Sequence, residues 1–557
     1  MTTHWAAVLL CVGTAAAAPD AEDSRDAAIF GAPEAAKDAG AGERGASQKP
    51  DAMDANQGEA SAPDAEDSRD AAIFGAPEAA EDAGAGERGA SPADRAEASL
   101  FGDGPDAPQG SDALQGMLEQ LDEQDPLSIG GFLFLRFNYA AQQEGEPGQF
   151  PLRSPNLFDI FFDARPTDRV RAYARGRLNY DFTVTPGSTN QFGQPQQAAN
   201  VLLDQLWLKF DIARRVFITF GRQPLRWGVT RFWLPTDFLN RQRLDPIALF
   251  DERLGVDLLK VHVPVESLNW NLYAIAQLGE ATNPTEIGGA LRGEFLWGPA
   301  EVTLTAAKRR SQPWQLGAAV SAGVWELDVR AESSVVTGVQ RPFYRGGYDP
   351  NELVSRTLEE LTKPPEQRAY EPSENPFGYL AEYREDQWFT QTSLGAEYSW
   401  RYTSDDVATV GIEYFYNQLG YSDSDIYPVL LATGEFRPLY TGQHYAALYS
   451  VLAGLGASNE STLLASVLGN LSDTSFLARL DYRIRILRYL DVNAFVNYHF
   501  GRLGELNLGF ELPPLPDTVP DDLAPEDAPQ GANALLQDGL EVVPPLLEVG
   551  VGLQLRF

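Results

Sequence analysis

Residues Val170–Val184 read VRAYARGRLNYDFTV, and their side-chain character repeats every two positions. Val170, Ala172, Ala174, Gly176, Leu178, Tyr180 and Phe182 are apolar or small, while Arg171, Tyr173, Arg175, Arg177, Asn179 and Asp181 alternate with them. In an extended chain successive side chains point to opposite faces, so one face here is greasy and the other charged. The dyad returns at 474–486, where Phe476, Ala478, Leu480, Tyr482, Ile484 and Ile486 oppose Arg479, Asp481, Arg483 and Arg485. It closes the chain as well: Leu547, Val549, Val551, Leu553, Leu555 and Phe557 alternate with Glu548, Gly550, Gly552, Gln554 and Arg556.

A soluble sandwich also alternates, but with shorter strands whose polar face meets water. Strand lengths near ten residues, aromatic strand ends, an export leader and a last strand ending on Phe557 point elsewhere. Together they predict an all-β fold, an antiparallel transmembrane β-barrel with apolar side chains toward lipid and polar ones toward the lumen. No run of 18 or more apolar residues competes as a membrane helix. Eighteen strands are expected, from 128–141 to 544–557. Short turns such as 166–169, 212–214, 298–299 and 488 fall on one side, and the long connections 223–253, 337–386, 419–441 and 502–545 on the other. Both termini then lie with the short turns, on the periplasmic side, with the long loops extracellular.

Charge is distributed unevenly along the chain. Acidic residues number 79 against 43 basic ones, a net charge of −36, which argues against nucleic acid as a partner because phosphate needs a basic face. Between Pro19 and Pro126 stand roughly 27 acidic and 7 basic residues, about 20 of that excess. Ala, Gly, Asp, Glu and Pro dominate this stretch, too little apolar surface to offset ordering entropy, so disorder is expected over 18–126. Before it, Trp5–Ala18 is too short to span a bilayer but suits a signal-peptide core, with cleavage after Ala17. The domains are therefore a signal peptide at 1–17, a disordered acidic periplasmic segment at 18–126, and a barrel at 127–557. Cys11, the lone cysteine, leaves with the leader; as a lipid anchor it would follow a bulky Leu where a small residue belongs.

Within the acidic segment PDAEDSRDAAIFGAPEAAKDAGAGERGAS, Pro19–Ser47, recurs at Pro63–Ser91 with only Lys37 replaced by Glu81. Each copy carries one apolar pair, Ile29-Phe30 or Ile73-Phe74. These pairs suit a docking motif offered in multiple copies to a periplasmic protein, or mark a duplicated linker. Nearer the barrel, Ser111 caps an expected short helix at 112–124, with Leu114, Met117, Leu118 and Leu121 on one face.

Parity places Arg136, Arg171, Arg175, Arg177, Arg479, Arg483, Arg485 and Arg556 in the lumen on neighbouring strands once the barrel closes. Glu326, Asp328, Glu332, Glu397 and Glu413 turn inward across the ring. A basic wall facing an acidic one orders water and orients polar solutes, and arginine suits carboxylates and phosphates. Such a lumen favours polar or anionic small solutes. Asp159, Asp163, Asp181, Asp481, Asp491 and Glu548 share the basic sector and offer pairing as the alternative. Side chains alone do not fill an eighteen-strand lumen, so water or a plug must; the acidic segment entering from the periplasm is one candidate plug. The four histidines, His4, His262, His444 and His499, sit in no nucleophile or metal-ligand spacing. No enzyme, cofactor or metal site is expected.

At Gly221-Arg222-Gln223, followed by Trp227-Gly228 and Pro235-Thr236-Asp237, the chain resembles the GRQ…WG…P-x-D passage of porin-like barrels in the alginate-export group of Gram-negative outer-membrane proteins. The resemblance implies an 18-stranded barrel that passes a solute, a small molecule or a polysaccharide, across the outer membrane with its lipopolysaccharide. On physical grounds Gly221 permits a bulge or tight bend at a strand end. The next thirty residues mix Trp227, Phe232, Trp233 and Phe238 with Arg226, Arg231, Arg241 and Arg243. That loop folds inward as a constriction or packs outside as a cap. The competing function is a closed-lumen scaffolding or surface-interaction barrel whose repeats bind periplasmic partners.

Overall fold

The computed structural model describes residues 126–557 apart from 143–151, 186–195, 241–242, 246, 250–252, 280, 310–312, 346–354, 357–358, 361, 369–378, 404–405, 434, 456–459 and 513–539. The expected leader, the acidic repeats and the expected helix at 112–124 lie outside the described residues.

Eighteen strands pair antiparallel in sequence order: β1 (Leu127–Gln142), β2 (Pro155–Thr167), β3 (Val170–Asp181), β4 (Ala199–Ile212), β5 (Val216–Gln223) and β6 (Val256–Val265). They continue as β7 (Trp270–Gln277), β8 (Gly288–Trp297), β9 (Ala300–Lys308), β10 (Trp314–Val324), β11 (Leu327–Thr337) and β12 (Trp388–Arg401). The last six are β13 (Val407–Asn417), β14 (His444–Ala453), β15 (Ser461–Asn470), β16 (Ser475–Leu487), β17 (Leu490–Gly501) and β18 (Pro545–Arg556). β18 pairs back onto β1 from Phe132↔Arg556 to Gln142↔Pro545, so the sheet is a closed barrel without a free edge. The expected all-β barrel of eighteen strands is the fold observed.

The outward faces are apolar. Leu206, Phe220, Leu291, Leu304, Leu394, Ile412, Leu448 and Val551 all stand exposed near the middle of their strands. A belt of this extent is far more apolar surface than a soluble monomer exposes, and it matches the lipid-facing band of a membrane barrel. Aromatic side chains edge the belt: Trp297, Trp325 and Tyr489 at the short-turn rim, Trp314, Trp388 and Tyr180 at the other. Among the described residues no helix is long and apolar enough to cross a membrane; the strands do the crossing.

Connections alternate between rims. The long ones, 224–255, 338–387, 418–443 and 502–544, share one rim, and both β1's start and β18's end lie at the other. The loop after β13 carries helix α1 (Tyr427–Thr433), an element not expected from sequence. Strand bounds also differ locally from the sequence reading. The β10–β11 turn falls at residues 325–326, so Glu326 lies in the turn, where Tyr398 donates its hydroxyl to the Glu326 carboxylate at 3.3 Å.

One irregularity matters for the lumen. Pairing between β3 and β4 shifts after Arg175, which faces Gln205, to Gly176, which faces Leu203. Asp204 is the extra residue of this bulge, and both it and Gln205 are buried while Leu203 and Leu206 stay exposed.

Candidate functional site

The loop between β5 and β6 lies inside the barrel. Leu225, Trp227, Arg231, Phe232 and Trp233 are all buried, with partners on β6–β8 and on β11–β16. The inward alternative for this loop is the one observed.

Three carboxylates receive it. Glu413 accepts the backbone N–H groups of Arg231 (2.8 Å), Phe232 (3.2 Å) and Trp233 (2.9 Å), together with the Ser393 hydroxyl at 3.2 Å. Three successive amides converging on one charge satisfy donors that would otherwise be buried without partners, and charge strengthens each bond. Glu397 accepts Arg231 Nε at 2.8 Å, Arg330 Nη2 at 3.0 Å and the Tyr449 hydroxyl at 2.6 Å. Glu332 accepts the hydroxyls of Thr230 and, at 2.6 Å, Thr236. Each of these glutamates is no more than 2% exposed. Asp328 lies on the same inward series of β11, opposite Glu397.

The motif residues build the loop's own frame. Gly221 has φ +118°, and a Cβ there would come within 2.2 Å of the Leu206 carbonyl oxygen, so glycine is required where β5 presses on β4. Gly228, at φ +108°, would carry a Cβ 2.8 Å from a Glu332 oxygen, so its bareness lets the loop sit on that carboxylate. Arg222 pairs with Asp257 on β6 at 2.7 Å, and Gln223 Nε2 donates to the Leu258 carbonyl at 3.3 Å. Trp227 donates its backbone N–H to Asp237 at 3.1 Å, and Arg253 reaches the same carboxylate. The Arg292 guanidinium covers the Trp227 ring at 5.5 Å.

Aromatic packing completes the seat. Trp233 stacks on Phe415 at 5.7 Å and meets Tyr445 at 5.5 Å, in an apolar cluster that includes Leu439, Tyr449, Leu468 and Leu506. Trp227, Leu225 and Phe238 form a second cluster with Leu258, Ile275 and Ala290 on β6–β8. Loop residues thus fill the sectors of β6–β8 and β13–β15 and reach the long-loop end of β16 at Leu477.

The arginines lie on the remaining wall. Arg171 meets Asp163 at 2.9 Å; Arg175 meets Asp159 at 2.9 Å; Arg177 lies 3.2 Å from Asp159 and 2.9 Å from Asp204. On β16, Arg479 bridges Asp481 and loop residue Asp245, each at 2.7 Å. Asp491 on β17 receives Arg483 at 2.6 Å, Arg485 at 3.2 Å and Arg556 at 2.7 Å. Arg136 donates to the Pro155 carbonyl at 2.8 Å. All eight stand on the strand faces opposite the exposed apolar residues, and each has a polar partner. Sequence reading did not single out Asp204, Asp245, Arg330 or Tyr449, which complete these networks. Among the described residues no cluster of side chains has a metal-holding arrangement.

No protein-family model and no curated protein matches this sequence. Among solved structures the chain is similar to a mutant of the Rhodopseudomonas blastica porin, at 11% identity over 77% of this chain and 100% of that one, with TM-score 0.33. It is also similar to Acinetobacter baumannii OccAB3 (10%, 77% and 99%, TM-score 0.40) and Pseudomonas aeruginosa OccK9 (10%, 77% and 98%, TM-score 0.42). The class itself follows from the chain's own architecture: an eighteen-stranded, closed, transmembrane β-barrel with one long loop folded into its lumen.

Proposed function

We propose that this chain is an outer-membrane channel that passes polar or anionic small solutes between its inserted loop and its arginine sector. One observation carries the reading: the loop takes up the carboxylates of Glu332, Glu397 and Glu413, leaving the wall of β1–β4 and β16–β18 to line the passage. Arg136, Arg171, Arg175, Arg177, Arg479, Arg483, Arg485 and Arg556 are the pore-lining basic residues of this proposal. Aspartates hold seven of these guanidinium planes in place and the Pro155 carbonyl holds that of Arg136, and a fixed planar donor set recognises carboxylate and phosphate oxygens better than a mobile one. In this orientation the short turns are periplasmic and the long loops extracellular, against lipopolysaccharide. The motif resemblance to the alginate-export group adds an acidic polysaccharide as a finer candidate solute.

Reversal potential in a planar bilayer tests the proposal. Replacing Arg171, Arg175 and Arg483 with Gln leaves Asp163, Asp159 and Asp491 behind and shifts selectivity toward cations. An unchanged reversal potential overturns the arginine-lined passage.

The two apolar clusters inside the barrel favour a second reading, a sealed lumen with a scaffolding role. Absence of current from inserted, folded protein would select it.

A further inference from the structure

The lipid-facing wall is indented across β6–β9, where a cleft of about 560 Å³ opens on the outer face of the barrel. Leu272, Leu291 and Leu304, all exposed, rise around it. Small residues make the floor: Ala274 and Ala306 flank Leu291 in one cross-strand row, and Gly293 lies between Leu272 and Leu304 in the next. Tyr273 and Arg292, which alternate with these residues, are buried on the lumen side.

Toward the short turns the cleft ends in aromatic side chains. The Phe295 ring lies over Gly293, where a Cβ would come within 2.6 Å of it, and Trp270 meets Phe295 edge-on at 5.1 Å. Trp297, two residues beyond Phe295, stands 82% exposed at the level where indole rings meet lipid headgroups. From Trp297 back to Leu291 the chain covers about 20 Å at about 3.3 Å per residue. Barrel strands tilt by about 35–45°, so this run projects to about 15 Å along the bilayer normal, half of a hydrocarbon core about 30 Å thick. The cleft and its aromatic edge together match the depth of one leaflet.

Its footprint says what fits. The cleft runs about 13 Å along β8 and crosses four strands, about 14 Å at about 4.8 Å spacing, which is under a quarter of the about 800 Å² that each partner of a stable protein interface buries. A second barrel needs far more wall than this. The surrounding face is already the lipid-facing belt, so a lipid chain reaches the cleft without leaving the bilayer.

We propose that this cleft holds one acyl chain of a phospholipid from the leaflet on the short-turn side, its ester end beside Trp297 and its methyl end at Leu291 and Ala306. Dispersion attraction counts atom pairs in contact, and a chain set among Leu272, Leu291 and Leu304 is touched on three sides where a flat wall touches it on one. The site concerns the outer face and stands whether or not the lumen conducts.

Photolabelling of the full-length protein tests it. Vesicles of dioleoylphosphatidylcholine carry a trace of phosphatidylcholine with a diazirine near the methyl end of one chain, and labelled residues are read by mass spectrometry after irradiation. Labelling at Leu291 is expected to exceed that at Ile412 on β13 and Leu448 on β14 about fivefold, about 1 kcal/mol of preference. With the diazirine near the ester end, the excess is expected to move to Phe295 and Trp297. Ala274→Leu with Ala306→Leu fills the floor while keeping the face apolar, and is expected to bring Leu291 down to the level of Ile412 in a barrel that keeps its heat-modifiable mobility. Where the pair impairs folding, Ala306→Leu alone gives the same reading. Even labelling around the belt, an excess that survives the leucines, or the reverse order for the two probes overturns the proposal. Assemblies of several barrels in detergent, reduced to single barrels by the same leucines, assign the cleft to a contact between copies and overturn it too.

Discussion

Asp245, in the loop rooted among the glutamates of β11–β13, lies 2.7 Å from Arg479 on β16. The loop therefore crosses the lumen and touches both of its charged sectors. Asp245 is 44% exposed, so the pair contributes about 0.2–1 kcal/mol and restrains the loop rather than the barrel. Asp245→Asn is expected to increase open-channel current noise while leaving the heat-modifiable mobility of the folded barrel unchanged on a denaturing gel.

Arg231 and Glu397 are each 2% exposed and 2.8 Å apart. Breaking a buried pair strands the remaining charge, at a cost of about 3–5 kcal/mol. Glu397 keeps Arg330 and Tyr449, so Arg231→Met should cost about 3 kcal/mol, the lower end of that range. Urea unfolding in detergent micelles reads the loss as a lower midpoint with an unchanged slope.

Gly228 touches Glu332 from a left-handed backbone. Gly228→Ala is expected to unseat the loop and expose Arg226, Arg231 and Arg243 to trypsin, giving two fragments where the native protein resists cleavage. Intact protein after the same digestion would count against the close approach.

At the long-loop rim, Glu505 accepts bonds from Leu439 N–H, the Tyr445 hydroxyl (2.5 Å) and Asn470 Nδ2 (2.9 Å). Asp473 faces it, bonding the Glu505 N–H at 2.8 Å and the Tyr427 hydroxyl at 2.7 Å. Burial pushes the Glu505 carboxyl from the ordinary 4.5 up to about 8. The folded state then holds a proton that the unfolded state releases, so its stabilising contribution is complete below about pH 4.5 and declines as pH rises to about 8. Hydrogen exchange of residues 502–509, corrected for intrinsic rates, should show protection falling across that window, and Glu505→Gln should abolish the fall.

Ile412 is 57% exposed at the middle of β13. As a lipid-facing position it should make Ile412→Arg cost about 2–4 kcal/mol of folding free energy in vesicles. No change there would contradict the assignment of the outward face to lipid.

How much of this was legible varies with the range of the interaction involved. β16 was expected from Thr474 and begins at Ser475, because burial of alternate side chains is written directly into the local pattern. Glu332, Glu397 and Glu413 could be assigned a face by the same parity. That they hold the β5–β6 loop could not, since Arg231 and Glu397 are distant in sequence and a charge pattern does not name its partner. Asp204 escaped for a sharper reason: the bulge opposite Arg175 puts it and Gln205 on the same side, which a strict period of two forbids. The short helix Tyr427–Thr433 runs on from a single 3-10 turn, Ser424–Ile426, capped by Asp423, and its seven residues are too few for a periodic pattern to separate it from loop.

The seam between β1 and β18 fixes the order of assembly. Phe132 faces Asp159 on β2 to one side, and on the other its partner is Arg556 near the end of β18. A chain without β18 presents two unpaired strand borders, on β1 and β17, each able to recruit a neighbour. β18 is in that sense the latch of the wall, and a lesion that unpairs it from β1 should be as damaging as one in any interior strand.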